Sequence, residues 1–237
     1  MLRKLLSIIL SITLSIIFCF SSTFAKSEKL IPSNWFVEGR YQKSLDEHPK
    51  FKDNETDSTK IITVFNENWD DLDSYGFGFG YDVKKIKSSF LLGYEFFGTS
   101  NYTSQSSITQ AGATNGPLII PMKMNNIMLE FNQKYYINDN QFLIGILGLG
   151  QSTIESKKYS AYANNRWYHN LGSSIKKNNT STRFGLGVGA KINEKLKIIG
   201  IIQHSDYGSM VVNDTQGTTI ESKTIATEAS IRLRLSF

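Results

Sequence analysis

The sequence predicts an all-β fold: an eight-stranded antiparallel up-and-down transmembrane β-barrel with long extracellular loops and short periplasmic turns. Three observations carry that expectation. Apolar and other residues alternate with period two from Asn34 to Phe237, and no long stretch has a helical period. The connections between the alternating segments are long and short by turns. The first residues read as an export signal.

That signal comes first in chain order. Met1 to Lys4 is a short basic start, Leu5 to Phe20 is an almost unbroken apolar run, and "SSTFA", residues 21–25, offers a small-residue cleavage site. The run is short for a bilayer span, so a cleaved secretory signal peptide at 1–25 is expected rather than an anchor. Phe18 before Cys19 argues against lipidation. Cys19 is the sole cysteine and leaves with the signal, which excludes a disulfide, a thiol nucleophile or a cysteine metal ligand in the mature chain. A short periplasmic segment, 26–33, then leads into the barrel domain, 34–237.

Eight strands follow, at about 34–44, 74–83, 88–98, 123–136, 141–151, 182–192, 196–206 and 223–237. Ten residues or so suits a tilted membrane strand. Long polar loops are expected at 46–73, 99–122 and 152–181, with an intermediate one at 207–222. Tight turns are expected at Lys84–Lys87, Asn138–Asn140 and Asn193–Lys195. This sorting of loop lengths belongs to outer-membrane barrels, and a β-sandwich gives no reason for it. All four prolines, Pro32, Pro49, Pro117 and Pro121, fall outside the expected strand interiors.

Alternation alone does not say which face is inside. The stretch "SYGFGFGYDV", residues 74–83, decides it: Tyr75, Phe77, Phe79 and Tyr81 share one face, and Gly76, Gly78 and Gly80 the other. Glycines facing water would weaken the strand for no return, whereas in a narrow lumen small residues make room for large ones. "RFGLGVGAKI", residues 183–192, repeats the device. The spacing Gly-x-Gly-x-Gly, with no helix after it, also excludes a phosphate-binding loop. Opposite the apolar faces, the strands carry Glu38, Glu95, Glu130 and Glu228 with Arg40, Lys134, Lys191, Arg232 and Arg234, nearly balanced in sign. These are expected to form interior ion pairs, since an unpaired charge there would be costly.

Composition narrows the function classes. A mean hydropathy of −0.24 and 40% hydrophobic residues look like those of an ordinary soluble chain, which misleads beside the strand pattern. The formal charge of +5 includes Arg3 and Lys4; without those two of the 26 basic residues, 24 face 21 acidic ones. No Lys/Arg block forms a binding stripe, so nucleic acid is not expected as a partner. Nor is any cofactor.

The last residues, "EASIRLRLSF", place Ile231, Leu233, Leu235 and Phe237 at every second position. They resemble the C-terminal signal that the barrel-assembly machinery recognises in bacterial outer-membrane proteins. "NNIMLEFNQKYYINDNQFLIGILGLG" and "GLGVGAKINEKLKIIGIIQHSDYG" are similar to the fourth-to-fifth and sixth-to-seventh hairpins of small OmpA-type barrels of the OmpX/Opa kind. "WFVEGRYQKSLDEHPKF" more weakly resembles the first strand of the surface antigens of Rickettsiales-like bacteria. The resemblance covers about 34–237 and implies a Gram-negative outer-membrane location, with membrane lipids and lipopolysaccharide as neighbours. It implies architecture rather than activity. The peptidoglycan-binding domain of full-length OmpA, and with it a cell-wall tether, is not expected here.

Three candidate sites remain. His204-Ser205-Asp206 invites comparison with barrel lipid A deacylases, but on a strand His204 and Ser205 point to opposite faces, and a rim histidine is the plainer reading. His48 and His169 lie in different loops without metal-ligand spacing, so no metal is expected. "YSAYANNRWYHN" in loop 152–181 supplies Tyr159, Tyr162, Arg166, Trp167, Tyr168 and His169, residue types that dominate binding hot spots on exposed loops. The expected role is structural or surface-interacting, adhesin- or antigen-like, toward an extracellular ligand or host surface. A narrow channel or conduit for small or apolar molecules, a porin-like role, is the alternative. A lipid A-modifying enzyme is a further one, and no enzyme activity is expected.

Overall fold

The computed structural model describes residues 34–47, 50–53, 61–69, 72–109, 116–163, 166–171, 173–213 and 219–237. The expected signal and leader segment, with Pro32, His48 and Pro49, lies outside them, as do the side chains of Tyr159, Tyr162, Arg166, Trp167, Tyr168 and His169.

Among the described residues twelve strands run in chain order: β1 Trp35–Glu47, β2 Lys50–Asp53, β3 Ile61–Trp69, β4 Ser74–Val83, β5 Ser88–Thr109, β6 Gly116–Tyr136, β7 Gln141–Ser156, β8 Tyr159–Ala163, β9 Arg166–Leu171, β10 Ile175–Lys191, β11 Leu196–Asn213 and β12 Thr219–Ser236. Eight of them, β1, β4, β5, β6, β7, β10, β11 and β12, pair antiparallel in that order, and β12 pairs back onto β1. The sheet therefore has no open edge around the wall, the condition for a strand structure to sit in lipid. Both strand ends Trp35 and Ser236, and the three short connections at 84–87, 137–140 and 192–195, lie at one end, which is the periplasmic one by the short-turn rule.

The eight wall strands are those expected, but several run much further. β5 has 22 residues and β6 has 21, against the roughly ten that a membrane crossing needs. Much of the segments read as loops is thus paired strand. β3 adds to the far half of β5, β2 to β12, and the hairpin β8–β9 to β6. Backbone pairing, which any polar sequence can make, extended these strands where apolar alternation had faded.

Proline gives a second correction. Pro117 and Pro121 lie inside β6. Pro121 pairs with Asn101 of β5, and its carbonyl, on the other side, accepts from the Lys157 amide at 2.8 Å. Its missing N–H falls on that same side, opposite Lys157, so the bond it forgoes lies just beyond the end of β7 at Ser156.

Outside, the wall is apolar. Phe77, Leu92, Leu129, Leu147, Leu186 and Ile231 are all exposed, Leu186 to 75%. Aromatic contacts recur along this face on β1, β4 and β5. Trp35 stacks on Phe79 at 4.8 Å and meets Tyr81 edge-on at 4.9 Å, near the periplasmic end. Six residues up β1, Tyr41 and Tyr75 lie 5.2 Å apart, and Tyr75 stacks on Phe96 at 5.9 Å.

Inside, the glycine faces point to the lumen, and the room they leave is used by side chains of flanking strands. A Cβ on Gly80 would strike the Phe36 ring, one on Gly189 the Phe142 ring, and one on Gly76 would sit 2.9 Å from Arg40 Cγ. Over the glycines of β10, Phe142, Ile144 and Ile146 of β7 meet Ile199 and Ile201 of β11 in one apolar cluster. A second cluster, including Leu72, Phe97, Ile120, Met122, Met124, Ile154 and Met210, fills the extracellular half of the interior. Gly208, at φ +84°, forms the bulge that re-aims β11 at this level.

Candidate functional site

Between the apolar layers lies a cluster of four glutamates and four arginines: Glu38, Glu95, Glu130 and Glu228 with Arg40, Arg183, Arg232 and Arg234. All eight side chains are 0% exposed. Glu130 on β6 is the hub. Its carboxylate accepts from Arg232 Nη1 at 2.6 Å, Arg40 Nη1 at 2.7 Å and Arg183 Nη1 at 2.8 Å. Glu95 takes a two-pronged pair from Arg183, at 2.5 and 2.9 Å, and a third bond from Arg40 at 2.9 Å. Arg234 holds Glu38 at 2.7 Å and lies 3.9 Å over the Phe36 ring. Glu228 is bound by neutral donors: Tyr207 and Ser205 hydroxyls at 2.8 Å and the Gln203 amide at 2.9 Å. Gln203 also donates to Gln42.

The equal count of opposite charges is what makes this burial tolerable. Each ion has lost its water, and only close opposite charges with further hydrogen bonds offset the loss. Guanidinium forks serve here because their planar donors meet several carboxylate oxygens at once. The cluster joins β1, β5, β6, β10 and β12 across the lumen, so the barrel is filled at this height.

At the periplasmic end a cavity of about 590 Å³ opens, lined by the short turns and the strand ends. Asp82 is its inner carboxylate, bound by Lys134 Nζ at 2.5 Å and Lys197 Nζ at 3.4 Å. Lys191 lies 5.1 Å over the Tyr136 ring.

Seven of the nine expected interior charges, Glu38, Arg40, Glu95, Glu130, Glu228, Arg232 and Arg234, come together in the cluster. Lys134 and Lys191 do not; register sets them at the mouth, the former on Asp82. Arg183 supplies the fourth guanidinium instead. It shares the parity of Gly185, Gly187 and Gly189, a signal the sequence carried and the reading of the strand left unused. Asp82, Lys197 and Tyr207 were likewise missed. Tyr207 meets Phe97 edge-on at 5.1 Å, and its hydroxyl binds Glu228.

His204 is half-buried on the outer face, with its ring 5.2 Å from Phe184 and Nδ1 3.3 Å from Thr227 Oγ1. Ser205 points inward, accepting from Arg183 Nε at 2.9 Å. The two side chains do not meet. Asp206 pairs with Lys223 at 2.7 Å. Among the described residues, no group of His, Asp and Glu could hold a metal ion. Of the expected recognition loop, the backbone forms the β8–β9 hairpin, with Tyr162 opposite Trp167 and Ala163 opposite Arg166. At the C-terminal end Ile231 and Leu233 face outward, and the Phe237 amide donates to the Trp35 carbonyl at 3.1 Å, closing the wall.

An eight-stranded closed wall with an apolar, aromatic-rich outside and a charged inside is a transmembrane β-barrel, and its place is the bacterial outer membrane. Comparison with solved structures agrees. The outer-membrane protein OprG from Pseudomonas aeruginosa is 14% identical over 86% of this chain and 96% of its own, with a TM-score of 0.56. Neisserial surface protein A is 12% identical over 86% and 98%, at a TM-score of 0.44. Ail, the attachment invasion locus protein of Yersinia pestis, is 11% identical over 85% and 99%, at 0.36. The chain thus has the fold of the small outer-membrane barrels. No protein-family model and no curated protein sequence matches it.

Proposed function

We propose that this chain is a surface barrel: a filled outer-membrane scaffold that meets an extracellular ligand or host surface through its far strand extensions and loops, in an adhesin- or antigen-like role. The observation that carries this reading is the filled lumen. A zero-exposure Arg/Glu cluster, capped on the extracellular side by an apolar layer, leaves the outer rim as the surface on which extracellular partners can act. In this reading 1–25 is the export signal and 26–33 a periplasmic segment. Ile231, Leu233, Leu235 and Phe237 are read by the barrel-assembly machinery, and lipid and lipopolysaccharide surround the belt.

The test compares bacteria displaying the intact chain with bacteria displaying a variant whose hairpin, residues 157–174, is replaced by a short Gly/Ser turn. Adhesion to cultured host cells and matrix proteins should fall to background in the variant while its heat-modifiable gel mobility persists. Equal adhesion by both, together with solute uptake by proteoliposomes of the intact chain, would favour the conduit reading and sink this one.

A further inference from the structure

The periplasmic mouth carries a charge imbalance that the rest of the lumen avoids. The central cluster balances four carboxylates with four guanidiniums. The 590 Å³ mouth is lined by five lysines, Lys84, Lys87, Lys134, Lys191 and Lys197, against three carboxylates, an excess of two positive charges. Two of those carboxylates, Asp139 and Glu194, stand exposed on the turn tips. Deeper in, Asp82 alone faces Lys134 and Lys197, with Arg234 Nη1 3.8 Å away. Lys134 and Lys197 are 4% and 7% exposed, so water does little to screen them. Lys191 has an aromatic face beneath it rather than a carboxylate. One inward position deeper on β6, Asn132 is fully buried with neither amide atom hydrogen-bonded among the described residues. A natural barrel places few uncompensated cations in a concave, half-desolvated site without a counter-anion.

We infer that the periplasmic mouth is an anion-binding vestibule that takes a phosphorylated compound on Lys134, Lys191 and Lys197, with Asp82 limiting its affinity. The choice of lysine over arginine fits. Ammonium groups act as compact point charges on phosphate oxygens, whereas the planar forks of this barrel are spent on carboxylates further in. Two excess charges match a phosphate dianion. The volume leaves room for the small organic group that carries it. A phospholipid headgroup folded in from the inner leaflet and a soluble periplasmic phosphate ester share this chemistry.

The experiment uses the chain purified from outer membranes and placed in phosphatidylcholine nanodiscs at low salt, with inorganic phosphate as the calorimetric probe. Saturable binding is expected. Lys191→Gln, whose ammonium lies over Tyr136 rather than against Asp82, should weaken it roughly fivefold, the effect of about 1 kcal/mol. Asp82→Asn should strengthen it by a similar factor, an opposite sign that a merely damaged barrel would not produce. Heat-modifiable mobility checks that both variants are folded. Nanodiscs containing phosphatidylglycerol separate the two sources: a lowered phosphate affinity there identifies the lipid headgroup, and an unchanged one a soluble phosphate ester. Absence of saturable binding in both discs, or Lys191→Gln binding as tightly as the parent while folded, would overturn the inference.

Discussion

Replacing the hub carboxylate, Glu130→Gln, is the sharpest perturbation of this fold. Three guanidiniums lie 2.6, 2.7 and 2.8 Å from its oxygens. Glutamine keeps the shape but removes the charge, leaving three carboxylates to four guanidiniums, and turns one acceptor into a donor aimed at donors. Removing one partner of a buried ion pair costs about 3–5 kcal/mol, because the remaining charge stays desolvated. With a urea slope of about 2 kcal/mol per M, a loss of about 4 kcal/mol lowers the unfolding midpoint by about 2 M. The assay is tryptophan fluorescence of the barrel in lipid vesicles, titrated with urea in both directions. Glu155→Gln at the rim, half-exposed and outside the cluster, should move the midpoint by a quarter of that or less. Adding Arg40→Gln to Glu130→Gln restores neutrality and should recover part of the loss, a coupling that a double-mutant cycle reads directly. A Glu130→Gln midpoint within about 0.5 M of the parent would refute the claim that the cluster is dry and mutually dependent.

Four further outcomes follow from the geometry. Gly80→Val should destabilise the barrel by about 1–3 kcal/mol, because its Cβ would meet both the Phe36 ring and the Phe90 carbonyl oxygen, and Phe36→Leu should relieve only the ring's part; Gly39→Ala, with open space around its Cβ, should be nearly neutral in the same titration. Leu186→Arg, at the most exposed apolar position of the wall, should cost about 2–4 kcal/mol in vesicles, and a gain of solubility in plain buffer would instead invert the assignment of faces. Unboiled protein should run faster than boiled on SDS gels, with β-type circular dichroism in detergent only; a folded monomer in plain buffer would contradict a lipid-facing belt. His204→Ala should leave the lipid A mass spectrum of expressing cells unchanged, since Ser205 turns away into the lumen, and any altered acylation would reopen the enzymatic reading.

What the sequence determined by itself is the set of relations that depend on parity. Because side chains alternate with period two, Phe77 and Gly78 had to face opposite ways, and one glycine stripe was enough to assign inside and outside for Glu38, Glu95, Glu130, Glu228 and Arg232 together. Tertiary structure decided what depends on register. Which cation meets which carboxylate is set by how strands slide past one another: Leu91 pairs with Glu130, and Glu130 with Gly148, which in turn pairs with Arg183. That sliding brought Arg183 to the hub and left Lys134 and Lys191 at the mouth. The same holds for strand length. Polar residues such as Ser104 and Gln105 carry no alternation to announce a strand, yet their backbone pairs with β6 once β5 is already anchored in the wall. Parity is a property of one strand and is written in it; register is a property of two, and only the closed barrel selects it.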